Sequence, residues 1–130
     1  MNHREYILQT QICNYLHLQY PEILFLSDTI AAVKLKPQQA IRNKSIQKHG
    51  FKTPDLLILE PRGKYHGLFI ELKTETPYKL NGEIKASQND HLKKQQESMN
   101  KLNEKGFFAV FSWGFDMTKE IIDNYLNEKL

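Results

Sequence analysis

The sequence predicts an α/β fold, a sandwich in which a central mixed β-sheet is flanked by helices. Three observations predict it. Segments with apolar residues at helical spacing alternate with short apolar runs of strand length. Two of those runs, "LLIL" and "GLFI", face each other across a Pro-Gly turn and read as a β-hairpin. A third, "FFAVFS" (107–112), is continuously apolar, as a strand buried on both faces would be. The expected order is α-β-α-β-β-α-β-α, with no repeat and no low-complexity tract.

Taken in order, residues 3–19 carry Leu8, Ile12 and Leu16 at i, i+4 and i+8, with Pro21 just beyond, which marks an amphipathic helix. Glu5 stands one turn ahead of Leu8 on that stripe. The helix dipole favours an acid there, so Glu5 is either an end-of-helix charge or a side chain aimed into a site. "ILFLS" (23–27) reads as a short strand and "IAAVKL" (30–35) as another candidate. Pro37 opens a helix and Gly50 is read as its C-terminal cap. Its weak apolar face leaves Arg42, Lys44 and Lys48 pointing outward. The hairpin follows, then a polar loop over 74–86 with Pro77 and Gly82. Ser87 and Asp90 mark the start of a helix over 88–105, closed by Gly106. Its stripe is Leu92, Met99 and Leu102, and Gln95 falls nearer the centre of that stripe than Gln96. After the 107–112 strand, Asp116 is read as the cap of a last helix with Ile121, Ile122, Tyr125 and Leu126 inward.

A chain of 130 residues is expected to form one domain, 1–130, large enough for two packed layers. Its net charge of +3 identifies no partner by itself. The distribution says more. No acidic residue stands between Asp28 and Asp55, yet Lys34, Lys36, Arg42, Lys44, Lys48 and Lys52 all lie there. Such a local positive field suits a polyanion such as nucleic acid, and its plainer reading is a solvated basic surface. The single cysteine, Cys13, allows no internal disulfide and is expected to pack in a helix. No long apolar run and no signal-peptide core are present, so the expected location is cytoplasmic, with no membrane partner. The five histidines lack zinc spacing, and "PRGKYHG" lacks the pattern of a phosphate-binding loop, which argues against a nucleotide cofactor.

The hairpin poses the chemical question. Phe69, Glu71 and Lys73 share one face of their strand, and Leu68, Ile70 and Leu72 the other. A loop over Pro61–Tyr65 pairs Glu60 with His66 and sets Asp55 opposite Glu71. Opposed β-carbons lie about 5 Å apart. Two carboxylates at that separation repel and raise each other's pKa. A divalent cation reverses the sign, because carboxylates are hard oxygen ligands that leave room for water and phosphate around Mg²⁺. Lys73 can then orient or help deprotonate an attacking water and neutralise charge on a phosphorane. Acid, acid and lysine at the ends of adjacent strands make a phosphodiester-hydrolysing arrangement.

"PDLLIL…GLFIELK" resembles the PD-(D/E)xK nuclease signature, with Pro54-Asp55 and Glu71-Leu72-Lys73 as its halves. The N-terminal glutamate (Glu5) and the helix with Gln95, Leu102 and Gly106 ahead of an apolar strand narrow the likeness. They resemble the VRR-NUC branch, the virus-type replication-repair nucleases, over about residues 3–126. The resemblance implies a restriction-endonuclease-like fold and a stand-alone, phage-type, Mg²⁺-dependent endonuclease, with Mn²⁺ as a substitute. Asp55 and Glu71 would bind metal with the backbone carbonyl of Leu72, and Glu5 would reach it through a water. Lys73 would be the catalytic lysine and Gln95 a hydrogen-bonder to lysine, water or phosphate. Small stand-alone relatives look like homodimers that resolve Holliday junctions, so branched DNA and a homodimer are the expected partners. Relatives tend to carry glycine shortly before the Pro-Asp pair, where Lys52 and Thr53 stand here. The rival reading is a non-catalytic basic DNA-binding protein, which explains the charge but not the paired carboxylates.

Overall fold

The 68–73 run is the strand around which the rest is organised. The computed structural model describes residues 3–27, 34–85 and 89–130. Its elements are α1 (His3–Gln19), β1 (Phe25–Ser27), α2 (Pro37–Ile46), β2 (Leu56–Ile58), β3 (Leu68–Lys73), α3 (Asn89–Glu104), β4 (Phe108–Trp113) and α4 (Phe115–Leu126). This is the expected order. Among the described residues the four strands form one sheet in the order β1-β2-β3-β4. The first two pairings are antiparallel, while β3 and β4 run parallel, joined by a crossover through α3. Of the 30–35 strand candidate, residues 30–33 lie outside the described residues, as does Ser87. Lys34 and Leu35 are not in a strand.

Alternation along β3 sends its side chains into two separate cores. Leu68, Ile70 and Leu72 join Leu8, Ile12 and Leu16 of α1 and Ile122, Tyr125 and Leu126 of α4. On the other face, Leu92, Met99 and Leu102 of α3 pack with Ala109 and Phe111 of β4, and Phe69 leans on them. The α1 and α3 stripes predicted from spacing are therefore buried, as are Ile122, Tyr125 and Leu126 of the α4 stripe, while Ile121 is half-buried. Full burial of a side chain of this kind is worth about 1.5–3 kcal/mol, so each face of the sheet is anchored by several such contributions.

Four boundaries differ from the expectation. The antiparallel pairing stops at Ile58↔Leu68 and does not reach Glu60 and His66. Arg62 and Tyr65 close the turn, and the His66 amide donates instead to Gly106 O at 2.9 Å. Helix α2 ends at Ile46 with Gln47 as its C-cap, so Gly50 does not terminate it. That helix has no buried residue and therefore no packed face to prolong it. Asp116 lies in the first turn of α4, and Gly114 at φ 83° occupies the N-cap. The first strand starts at Phe25, two residues later than its apolar run suggests.

Candidate active site

Asp55 immediately precedes β2, and the register places it one step beyond Leu56↔Ile70, directly across from Glu71. The sheet opens at this point. The chain ahead of Asp55 is drawn toward α3, where the Lys52 amide donates to Ser98 Oγ at 2.8 Å and Lys101 Nζ donates to Gly50 O at 3.1 Å. With β2 ended, side chains complete the ladder. The Leu72 amide donates to Asp55 Oδ2 at 2.8 Å, and the Asp55 amide donates to Glu71 Oε2 at 3.0 Å. Each carboxylate thus grips the backbone of the opposite strand. The N–H and C=O of one strand residue lie on the same edge, so the Leu72 carbonyl shares the Asp55 edge. The Lys73 carbonyl lies on the opposite edge and accepts from the Gly114 amide at 3.1 Å.

The pair is electrostatically incomplete. Glu71 is only 5% exposed, and its pKa is pushed up from an ordinary 4.5 to about 9. Burial is the main cause and the neighbouring Asp55 the next, against a smaller opposing pull from Lys73. Two anions here call for a cation or a proton between them. The donor set fits an oxygen-preferring divalent ion: two carboxylates, with a main-chain carbonyl on the same edge. Among the described residues no cluster of three or more His, Cys, Asp or Glu side chains could hold a metal.

Gln95, on the buried stripe of α3, donates through Nε2 to Glu71 Oε1. Its own Oε1 is the one buried side-chain polar atom without a partner among the described residues. An unsatisfied buried acceptor costs about 1–3 kcal/mol. Glu5 and Lys73 meet in a hollow of about 190 Å³, together with Arg4, Thr74, Thr76 and Lys85. Asp55, Glu71 and Gln95 are thus joined by hydrogen bonds, and Lys73, two residues on from Glu71, lines a hollow with Glu5 that none of those three lines. A larger hollow of about 500 Å³ opens at the hairpin tip between Arg62, Tyr65 and Tyr125, and contains none of these five.

Lys34, Lys36, Arg42, Lys44, Lys48 and Lys52 are all exposed. Among the described residues, Lys52 alone of the six is hydrogen-bonded toward the carboxylates, since its Nζ lies 3.5 Å from His91 Nδ1. Two residues that sequence reasoning does not single out complete the surroundings. Gln9 is buried on α1 and donates to Ser27 Oγ and, at 3.5 Å, to Asp55 O. The other is His91, whose Nε2 lies 3.2 Å from Gln95 Nε2. Their spacing carries a signal: Gln9 stands four residues after Glu5 and His91 four before Gln95, each on one helix face.

A mixed sheet with helices on both faces, and two acids and a lysine where adjacent strands part, define a restriction-endonuclease-like α/β frame. Within that class the chain has the fold of the VRR-NUC domain. It is similar to a solved VRR_NUC domain protein with a TM-score of 0.61 and 26% identity, over 98% of this chain and 91% of that one. The resemblance first carried by the hairpin motifs thus extends to the whole structure. No family model matches the sequence, and no curated protein matches it either.

Proposed function

We propose that this chain is a divalent-cation-dependent DNA endonuclease, with Asp55, Glu71 and Lys73 as its centre. The observation that carries the reading is the interlocked carboxylate pair, whose burial would be unfavourable without a positive charge between the two groups. Asp55 and Glu71 would hold the ion, with the Leu72 carbonyl beside them. When bound, Mg²⁺ or Mn²⁺ supplies Lewis-acid polarisation of the phosphodiester and offsets the charge that develops on it. Lys73, half-buried at the mouth of the hollow, orients the attacking water and stabilises the phosphorane oxygens. Glu5 faces the same hollow and positions water there. Gln95 keeps the Glu71 carboxylate turned toward Asp55. The exposed basic segment from Lys34 to Lys52 gathers DNA phosphates.

One centre per chain cuts one strand. A two-fold homodimer would present two equivalent centres to a four-way junction, itself two-fold symmetric, and paired nicks would resolve it. The test is a cleavage panel of linear duplex, nicked, flap, single-stranded and four-way DNA, run with Mg²⁺, Mn²⁺ or chelator, alongside light scattering. The expected result is cation-dependent cutting, strongest on the junction, by a dimer that Glu71→Ala inactivates. Binding without cutting under every cation would favour a purely DNA-binding protein. A monomer that cuts linear duplex equally well would remove the junction and dimer claims alone.

A further inference from the structure

The polar stretch after β3 folds into a second, smaller hairpin. Tyr78 and Ile84 pair across it. The Lys85 amide donates to Pro77 O at 2.9 Å, and the Lys79 amide to Glu83 O at 2.6 Å. The Gly82 amide closes the turn on Lys79 O at 2.9 Å. Both arms are fixed to the fold, since Tyr78 and Ile84 pack against the core between α3 and β4. Tyr78 sits edge-on to Phe111 and Trp113, with ring centroids 5.8 and 5.9 Å away.

The turn explains its own residues with one exception. Gly82 supplies the positive φ, 88°, that the bend requires. Asn81 Oδ1 accepts from the Glu83 amide at 3.0 Å. Leu80 has no such role, and the hairpin holds it out at 110% relative exposure. A lone exposed leucine is ordinary on a protein surface, but this one stands beside the candidate site. Pro77 and Lys85, at the base of the hairpin, line the same hollow as Lys73, with Arg4, Glu5 and Glu75. Three cations face two acids there, so the hollow is net positive. At about 3.3 Å per residue the tip lies roughly 7–10 Å beyond Pro77, about two or three base steps of DNA.

We propose that Leu80 is a wedge that seats against unstacked bases where the strands of branched DNA part, and so selects branched substrates. The inference rests on the nucleic-acid reading above and deepens it by naming the group that reads the branch. A leucine offers nothing to a phosphate and gains only from the apolar face of a base. Lys79 and Glu83, both exposed, offset each other beside it, so the tip is not itself a phosphate contact. In linear duplex the base face is already stacked, and a wedge must first open the stack. At a branch the stack is broken in advance, so insertion there is least opposed.

The test compares a fluorescein-labelled four-way junction with a linear duplex, both bound in chelator, where nothing is cut. Leu80→Ser is expected to weaken junction binding about fivefold to tenfold, as loss of a partly buried leucine would, and to leave duplex binding within about twofold. Its Tm should match wild type, because a fully exposed side chain holds nothing together. Leu80→Met should keep the junction preference. Lys85→Ala should weaken both substrates by the same factor, as a phosphate contact does. A 2-aminopurine at the branch should brighten with wild type and stay dim with Leu80→Ser. Equal losses on junction and duplex in Leu80→Ser, no loss on either, or a dim probe with wild type would overturn the wedge. Unchanged binding of both substrates in Lys85→Ala would overturn the route of the backbone past the hairpin, and the wedge with it. Failure of the wild type to bind any DNA overturns wedge and nucleic-acid reading together. Leu80-dependent junction binding without cleavage under any cation overturns catalysis and supports the wedge.

Discussion

Replacing Glu71 by Gln should make the cation-free protein more stable, and the gain should grow with pH. The Glu71 pKa lies at about 9 in the fold against an ordinary 4.5. Between those values the folded chain binds a proton that the unfolded chain has released, so wild-type stability falls as pH rises and levels off above about 9. Each unit of that interval is about 1.4 kcal/mol, which places the cost at pH 7 at about 3–4 kcal/mol. Glutamine stands in for the protonated acid: its oxygen keeps the bond from the Asp55 amide, and its NH₂ donates to Gln95 Oε1 once that amide turns over. Little is lost in exchange, so a net gain of about 2–3 kcal/mol is expected at pH 7. At roughly 3–5 °C per kcal/mol for a chain of this size, that is a clear rise in Tm. The assay is urea and thermal unfolding of both proteins in chelator across pH 4.5–9. The curves should converge at the acid end and part steadily toward the alkaline end. Saturating Mg²⁺ should raise the wild type and leave the variant unmoved. A variant less stable than wild type at pH 7, or a difference flat with pH, would refute the electrostatic reasoning.

Three further outcomes are expected. Lys73→Ala should abolish cleavage while retaining the Mg²⁺-dependent rise in Tm, since in the proposed mechanism the lysine acts on water and phosphate and does not hold the ion. Replacing Arg42, Lys44 and Lys48 together by Ala should weaken binding to any DNA sequence and flatten the salt slope by about 0.9 for each phosphate no longer neutralised; an unchanged slope would mean that this segment faces away from DNA. Gly106→Ala should lower stability by about 2 kcal/mol or more. The position has φ 92°, and a Cβ there would come within 2.7 Å of the His66 ring, which chemical denaturation would register.

The hairpin is legible in sequence because its two signals are local. Alternation names the faces of β3, and the turn fixes the register that opposes Asp55 and Glu71. That register survives even though the pairing near the turn does not. The turn end departs from the pattern because the His66 amide finds Gly106 O across the fold, which no local signal encodes. Asp116 misleads for a related reason: an acid ahead of an apolar stripe resembles a cap, but Gly114 takes that place while its amide continues the sheet to Lys73 O. Gly50 has the positive φ of a helix-ending glycine, 74°, yet α2 stops earlier for want of anything to pack against. Gln95 is visible as a polar residue on an apolar stripe. Gln9 and His91 escape notice because their significance comes from distant partners. Gln9 reaches Asp55 across 46 positions and His91 reaches Lys52 across 39.

The hydrogen bond from the Leu72 amide to Asp55 Oδ2 bears on how an inert form of this protein should be made. Asp55 supplies the rung that a longer second strand would have supplied, so its carboxylate belongs to the scaffold as much as to the proposed reaction. An alanine there would remove the proposed metal ligand and also strand an amide at the sheet edge, and the two losses would arrive as one phenotype. Asparagine retains a carbonyl oxygen for that amide while giving up the charge. Crystals or pull-downs that need an uncut complex are better served by Asp55→Asn, because what they capture will still have the architecture of the working molecule.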